Sequence, residues 1–210
     1  MTGAAPLPPA ALSTMWAVQP RYESDLSAFL DRAAELGYEA VEINHSMTAE
    51  HASAIMGYGS LPVTGVHAPA PLERHPSAGW NRELNLAATD ETERALAVSY
   101  HQRSVHLAAE AGARVVVVHL GGVGSRLLAG ERRLRSLYDR RDAVPAEWQT
   151  AVDDTLKERA AIAAPWLEQA RRSLDEMAET AAAAGVTLAI ETRLHYHEIP
   201  LPFELVDLLT

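Results

Sequence analysis

The chain has 210 residues, of which 48% are hydrophobic and 22% charged, a composition that excludes disorder or a fibre as the main state of the protein. It contains no cysteine, so disulfides and cysteine-based zinc sites are excluded, and any metal ion must be held by nitrogen and oxygen atoms. The net charge of -10 disfavours binding to the phosphate backbone of nucleic acid and favours a small substrate.

The N-terminal residues are predicted to be a flexible leader over 1–10, followed by a single domain over 11–210. Pro6, Pro8 and Pro9 interrupt the leader, which has no basic segment before its apolar residues, so it does not resemble a signal peptide. No apolar run reaches the roughly 18 residues that a membrane span requires. We therefore expect a cytoplasmic protein without a membrane partner.

Strands and helices alternate in the predicted order of elements. The predicted strands are 12–18, 38–43, 62–66, the stretch 113–122 with its four consecutive valines, and 186–190. Helices are predicted over 24–36 with Ser24 as the cap, over 49–56 with Thr48 as the cap, over 90–111, and over 145–184 with a kink or restart at Pro165. Irregular connections are predicted over 71–88 and 123–144.

A weak internal repeat supports this alternation. The phrases AAELGYEAVEIN, AAEAGARVVVVHL and AAAAGVTLAIE each run from a helix end through a glycine (Gly37, Gly112 and Gly185) into a strand. The spacing fits two βα units per interval, with right-handed crossovers. Both an open five-stranded sheet and a barrel interrupted after its fifth strand fit this pattern. We favour the interrupted barrel because the chain stops in FELVDLLT, a helical pattern without a terminating signal.

Three successive strands are followed by side chains that can bind a metal ion. His67 follows the third strand, His119 the fourth and Glu191 the fifth. The carboxyl ends of parallel strands meet at one edge of a sheet, so these side chains are expected to converge. Two imidazoles and a carboxylate suit a divalent ion such as Mn, Co, Mg or Zn. A single histidine at a strand end is more often structural, whereas three such side chains at three successive strand ends indicate a metal site.

The phrases GVHAPAP, VVVVHLGG and LAIETR, together with LSTMWA and AAELGYEAVEIN, resemble the xylose isomerase-like barrel superfamily. This superfamily contains sugar phosphate isomerases and epimerases and the endonuclease IV type of AP endonuclease. The resemblance implies a (β/α)8 TIM-barrel fold of class α/β, cut after the fifth of eight strands. In the epimerase branch it implies that Glu191 binds a divalent metal ion and acts as an acid or base. In the endonuclease branch it implies that His67, His119 and Glu191 bind zinc.

The leading hypothesis is a metal-dependent sugar or sugar phosphate isomerase or epimerase. A metal ion on adjacent oxygens of a ketose stabilises the enediolate that forms when a carboxylate removes the proton next to the carbonyl. Catalysis is assigned to Glu191 and His119, and substrate contacts to Trp16, Glu42, His67 and Arg193. Alternatively, Trp16 is a packing residue and Glu42 a buried partner of Arg193.

Two further hypotheses remain open. The first is a zinc phosphodiesterase acting on abasic DNA, which the acidic net charge opposes. The second is a non-catalytic barrel fragment that needs another copy or a partner chain to close its sheet and complete the metal site, because an unclosed sheet leaves unpaired strand edges.

Two other groups of residues offer weaker signals. His195 and His197 alternate with Tyr196 and would point the same way on an extended segment, although an exposed loop is the commoner interpretation. Five arginines lie between Arg132 and Arg141, where they would either clamp a phosphate or form a solvated helical face. The same connection is also a candidate lid.

Overall fold

The structure is a computed structural model that describes residues 10–22, 25–124 and 127–209. The predicted cap Ser24 and residues 1–9 of the predicted leader lie outside the described residues. The described chain forms two compact units. The first is drawn from Met1–Glu83, Tyr100–Val118 and Glu179–Ala189, and the second from Leu84–Ser99, His119–Ala178 and Ile190–Thr210.

Seven strands are present among the described residues. They are β1 (Ala11–Ser13), β2 (Ala40–Ile43), β3 (Val63–His67), β4 (Arg74–His75), β5 (Gly79–Trp80), β6 (Val115–Val118) and β7 (Thr187–Ile190). Five of them form one sheet in the order β1-β2-β3-β6-β7, and the pairs β1–β2, β2–β3 and β3–β6 are parallel. Val41, Val66 and Val116 of this sheet are fully buried. The predicted α/β class with a parallel sheet is therefore confirmed.

The first predicted strand is wrong beyond Ser13. Residues Thr14–Val18 form a 3-10 helix, which begins where the Ser13 hydroxyl accepts a hydrogen bond from the Met15 backbone N–H at 3.4 Å. The buried Thr14 hydroxyl accepts a second hydrogen bond, from the Asn44 N–H at 2.9 Å. These side chains offer the backbone an alternative to the sheet ladder, and the strand ends early.

Six α-helices are present among the described residues. They are α1 (Leu26–Glu35), α2 (Ala49–Tyr58), α3 (Glu91–Glu110), α4 (Ala129–Leu137), α5 (Pro145–Ala184) and α6 (Leu205–Leu209). The cap of α1 is Asp25, which accepts a hydrogen bond from the Ala28 N–H at 3.0 Å. Thr48 caps α2 as predicted. Of the two predictions for Pro165, a kink or a restart, the restart is wrong, because α5 continues through this residue as one helix.

Helix α4 lies in a region predicted to be irregular. Its residues Leu134 and Leu137 are buried against Ala151 of α5 in the second unit. Its first backbone N–H groups, at Ala129 and Gly130, donate to the Glu158 carboxylate of α5 at 2.9 Å each. These hydrogen bonds lower the pKa of Glu158. The helix is thus capped and packed by another helix, and a local pattern does not contain that information.

The β4–β5 hairpin was also missed, within the connection predicted over 71–88. Its strands have two residues each, too few for an alternating pattern to be visible. Among the described residues, no helix has the length and apolar character that crossing a membrane requires.

Arg94 is the largest fully buried side chain of the second unit, with 2% of its surface exposed. It donates to Glu91 at 2.7 Å, to Glu176 at 2.8 Å and to the Ser173 hydroxyl at 3.1 Å. The hydrogen bond from Arg94 lowers the pKa of Glu91 to about 2, from an ordinary value of 4.5. The ionised form of Glu91 therefore stabilises the fold.

A Glu91→Gln variant is expected to lose stability in a pH-dependent way. Because the folded-state pKa of Glu91 lies below the unfolded value, its contribution is complete above pH 4.5 and disappears as the pH falls towards 2. Urea unfolding of the wild type and the variant should differ at pH 7 and converge near pH 2. Glu110→Gln on the exposed end of α3 is the control. An equal difference at both pH values would contradict the assignment.

Candidate functional site

Strand ends of the first unit position the predicted histidines. His67 is the last residue of β3, and it pairs in register with Val117 of β6. The Ala68 N–H also donates to the Val117 carbonyl at 2.9 Å. Since β3 and β6 are parallel, their carboxyl ends lie at the same edge of the sheet. His119 follows the last residue of β6, and Glu191 follows the last residue of β7.

The second unit brings His119 and Glu191 together. The His119 Nε2 atom lies 3.1 Å from Glu191 Oε2. Their side chains are 19% and 53% exposed, so a solute can reach the pair. These residues are 72 positions apart in the chain, and their pairing agrees with the predicted convergence of strand ends.

Backbone hydrogen bonds hold the segment after β6 against the segment after β7. Gly122 forms an antiparallel bridge with Glu198. On either side of it, the Val123 N–H donates to the His197 carbonyl at 2.7 Å and the Ile199 N–H donates to the Gly121 carbonyl at 2.9 Å. This short ladder positions the two segments that carry His119 and Glu191.

Asn85 supports the glycine turn after His119. Its Oδ1 accepts from the Gly122 N–H at 3.1 Å, and its Nδ2 donates to the Gly122 carbonyl at 2.9 Å. Asn85 approaches Gly121 so closely that an added Cβ there would lie 1.8 Å from Asn85 Oδ1. Gly121 also has a φ of +90°. The two glycines are visible in the phrase VVVVHLGG, but nothing local points to Asn85, which lies 37 positions before Gly122.

His67 has its own hydrogen-bond environment in the first unit. It is 8% exposed, and its Nδ1 lies 3.2 Å from the Ala68 carbonyl and 3.4 Å from His45 Nδ1. When the ring proton is on Nδ1, which donates it to the Ala68 carbonyl, the lone pair that can bind a metal ion is on Nε2. His45 was given no role from the sequence, although it lies two residues after the end of β2.

The remaining predicted substrate residues are placed separately. Glu42 lies on β2 beside Gly65, where an added Cβ would come within 3.8 Å of Glu42 Cγ. Trp16 is 55% exposed and lines a cleft with Tyr22 and Phe29, and no other predicted site residue lines this cleft. Arg193 forms an ion pair with Glu198 at 3.0 Å.

Two groups of histidine and glutamate side chains among the described residues could hold a metal ion. His119 and Glu191 belong to the first, and the second consists of Glu131, His195 and His197. His195 and His197 lie in a loop, as expected, but the expectation that this loop is exposed is wrong. Their side chains are 30% and 17% exposed and face the buried carboxylate of Glu131.

The arginines between 132 and 141 contact protein groups. Arg133 lies 3.7 Å from Glu147 and 3.8 Å from Asp154, and Arg140 lies 3.9 Å from Glu147. Arg132 and Arg141 donate to the carbonyls of Leu127 and Tyr138. This arrangement favours the interpretation as a solvated helical face over a phosphate clamp.

Residues 30–199 match the family model of the xylose isomerase-like TIM barrel. The chain therefore belongs to this family, as the quoted phrases of the sequence indicated. The comparison with curated proteins finds no match.

Solved structures of sugar epimerases have a similar fold. A D-tagatose 3-epimerase-like protein matches with a TM-score of 0.58 and 18% identity, over 96% of this chain and 60% of that one. D-Psicose 3-epimerase from Clostridium cellulolyticum H10, in crystal structures with D-tagatose, matches with a TM-score of 0.58 and 15% identity, over 96% and 58%. The 3-keto-D-glucoside 4-epimerase from E. coli matches with a TM-score of 0.56 and 14% identity, over 90% and 57%. These identities show the fold alone, and the chain spans at most 60% of the length of these three proteins.

Proposed function

We propose that the protein is a divalent-metal-dependent isomerase or epimerase of a sugar or sugar phosphate, with His119, Glu191 and His67 as its metal ligands. The observation that carries the proposal is the His119–Glu191 pair, 3.1 Å apart and accessible to solute, at the ends of β6 and β7. The family and the epimerase fold of the neighbouring structures support this class of reaction.

The chemistry of these donors fits a divalent ion. Imidazole nitrogen and carboxylate oxygen suit Mn, Co and Zn, and a set of three ligands leaves positions open for substrate oxygens. The contact of His67 Nδ1 with the Ala68 carbonyl supports the tautomer in which Nε2 is the ligand atom. The register of His67 with Val117 supports including it, because His119 follows two residues later.

Glu191 is the proposed general base. A bound metal ion would supply charge stabilisation to the carbonyl and hydroxyl oxygens of a ketose. The Glu191 carboxylate takes the proton from the carbon next to the carbonyl, the C–H electron pair forms the C=C bond of the enediolate, and the carbonyl π electrons move to oxygen. A proton from solvent water adds to the other face of that carbon, the enediolate oxygen returns its electron pair to re-form the carbonyl, and Glu191 gives its proton to solvent, which together give the epimer. His119, in contact with Glu191, orients the carboxylate and shares the proton that the carboxylate has taken from the substrate.

Incubation with D-tagatose or D-psicose in deuterated water tests this function. With Mn or Co added, we expect deuterium at the carbon next to the carbonyl and a new epimer, both detected by NMR. Treatment with EDTA should stop both, and restoring the metal ion should bring them back. Neither deuterium nor epimer from a panel of ketoses and their phosphates would contradict the proposal.

The two rival hypotheses are outcomes of parallel assays. Chelator-sensitive cleavage of a duplex with an abasic site would support the phosphodiesterase instead, against the net charge of -10 and the paired arginines. Sedimentation equilibrium measures whether the chain associates. Activity that appears only in an assembled form would support a site completed by another chain.

A further inference from the structure

A second cluster of metal-binding side chains lies entirely within the second unit. We propose that Glu131, His195 and His197 form a second metal site that takes zinc or a similar divalent transition-metal ion. Glu131 lies on α4, and the two histidines lie in the segment after β7. The proposed epimerase chemistry uses none of these residues.

The ligand atoms are already close to one another. His195 Nδ1 lies 2.7 Å from Glu131 Oε1, and His197 Nδ1 lies 3.8 Å from Glu131 Oε2. One ligand atom from each residue lies within 4.8 Å of the other two. A tetrahedral zinc ion with bonds of about 2.0 Å holds its ligands roughly 3.3 Å apart. Only small side-chain movements separate this cluster from a binding geometry.

The backbone of the histidine segment is held on both sides. The Tyr196 N–H donates to Glu131 Oε2 at 3.1 Å, and the His195 N–H donates to Glu198 at 2.8 Å. The His197 carbonyl accepts from Val123 at 2.7 Å. These contacts preorganise the three ligands and reduce the entropy cost of binding an ion.

Two nitrogen atoms of the cluster are poorly satisfied without a cation. His197 Nδ1 is buried and has no hydrogen-bond partner among the described atoms. His195 Nδ1 lies 2.5 Å from Arg135 Nη2 and 2.7 Å from Glu131, yet one nitrogen cannot accept from a guanidinium and donate to a carboxylate at once. A metal ion would accept lone pairs from both imidazoles.

The electrostatics of the cluster also favour a cation. The side chain of Glu131 is 3% exposed. A buried, ionised carboxylate requires positive charge beside it. Arg135, 3.2 Å away, supplies that charge in this structure and would compete with a metal ion.

Metal titration of a variant that lacks the first site tests the proposal. In the His119→Gln/Glu191→Gln chain, we expect calorimetry to show one bound Zn²⁺, and Co²⁺ to give the visible absorption of a site with nitrogen ligands. Adding His195→Gln and His197→Gln should weaken Zn²⁺ binding at least about tenfold. His106→Gln, on the exposed surface of α3, is the control and should leave binding unchanged.

Arg135→Gln distinguishes a metal site from a structural ion pair. Removing the competing cation should tighten Zn²⁺ binding on the order of tenfold if the metal takes its place. The proposal would be overturned if the His119→Gln/Glu191→Gln chain bound no Zn²⁺. It would also be overturned if the two histidine replacements left Zn²⁺ binding unchanged. Circular dichroism and thermal melting of each variant separate loss of ligands from loss of fold. Activity is not needed as a readout, so the result does not depend on the proposed epimerase function.

Discussion

Replacing Glu191 with glutamine is expected to lower the rate of deuterium exchange into a ketose about 1000-fold. Glutamine keeps the size of the side chain but cannot accept the proton, and general base catalysis contributes factors of this order. The variant should also bind Mn or Co more weakly, because an amide oxygen is a poorer ligand than a carboxylate. Exchange is measured by NMR at saturating metal, so that loss of the ion does not hide loss of the base.

Glu110→Gln is the matched control for this experiment. Glu110 is an exposed glutamate at the end of α3, and its replacement should leave exchange unchanged. Glu191→Asp should recover part of the rate. It restores a carboxylate, but the shorter side chain leaves that carboxylate farther from the substrate. If Glu191→Gln retains most of the wild-type rate at saturating metal, Glu191 is not the base.

Gly121→Ala is expected to destabilise the fold by about 3 kcal/mol. The added Cβ would lie 1.8 Å from Asn85 Oδ1, and the φ of +90° is strained for alanine. Relief of the clash requires moving Asn85 and its two hydrogen bonds to Gly122. Because that turn follows His119 closely and helps to position it, the variant should also bind metal more weakly. Urea unfolding at pH 7 measures the free energy, and calorimetry the metal affinity.

Gly124→Ala separates backbone strain from the clash. Gly124 also has a positive φ, of +83°, but no atom of the described residues would lie within 4 Å of an added Cβ. Its replacement should cost only about 1 kcal/mol. Equal losses in the two variants would show that the contact with Asn85 does not hold the turn.

The best predicted part of the site is the part that depends on strand ends. The valine run of β6 and the glycine before each strand are local patterns, and they placed His119 and Glu191 correctly after β6 and β7. Parallel pairing then implies that residues after neighbouring strands approach one another. The pair at 3.1 Å agrees with that implication.

The least predictable part was the environment of His195 and His197. Their partner Glu131 lies 64 positions before His195, on helix α4, within a connection that was predicted to be irregular. That helix has few apolar residues and takes its cap from Glu158 of α5. A sequence pattern within ten or twenty residues contains no information on the contact of Glu131 with His195 or on the cap that Glu158 provides.

The sequence by itself determined the α/β class, the family and the strand ends at which chemistry is expected, because hydrophobic periodicity and glycine positions are local properties of the chain. Tertiary structure alone decided that Thr14–Val18 leaves the sheet, that α4 forms, and that a buried carboxylate gathers two histidines. Each of these depends on hydrogen bonds or packing between residues far apart in sequence, whose free energy exists only once the chain has folded.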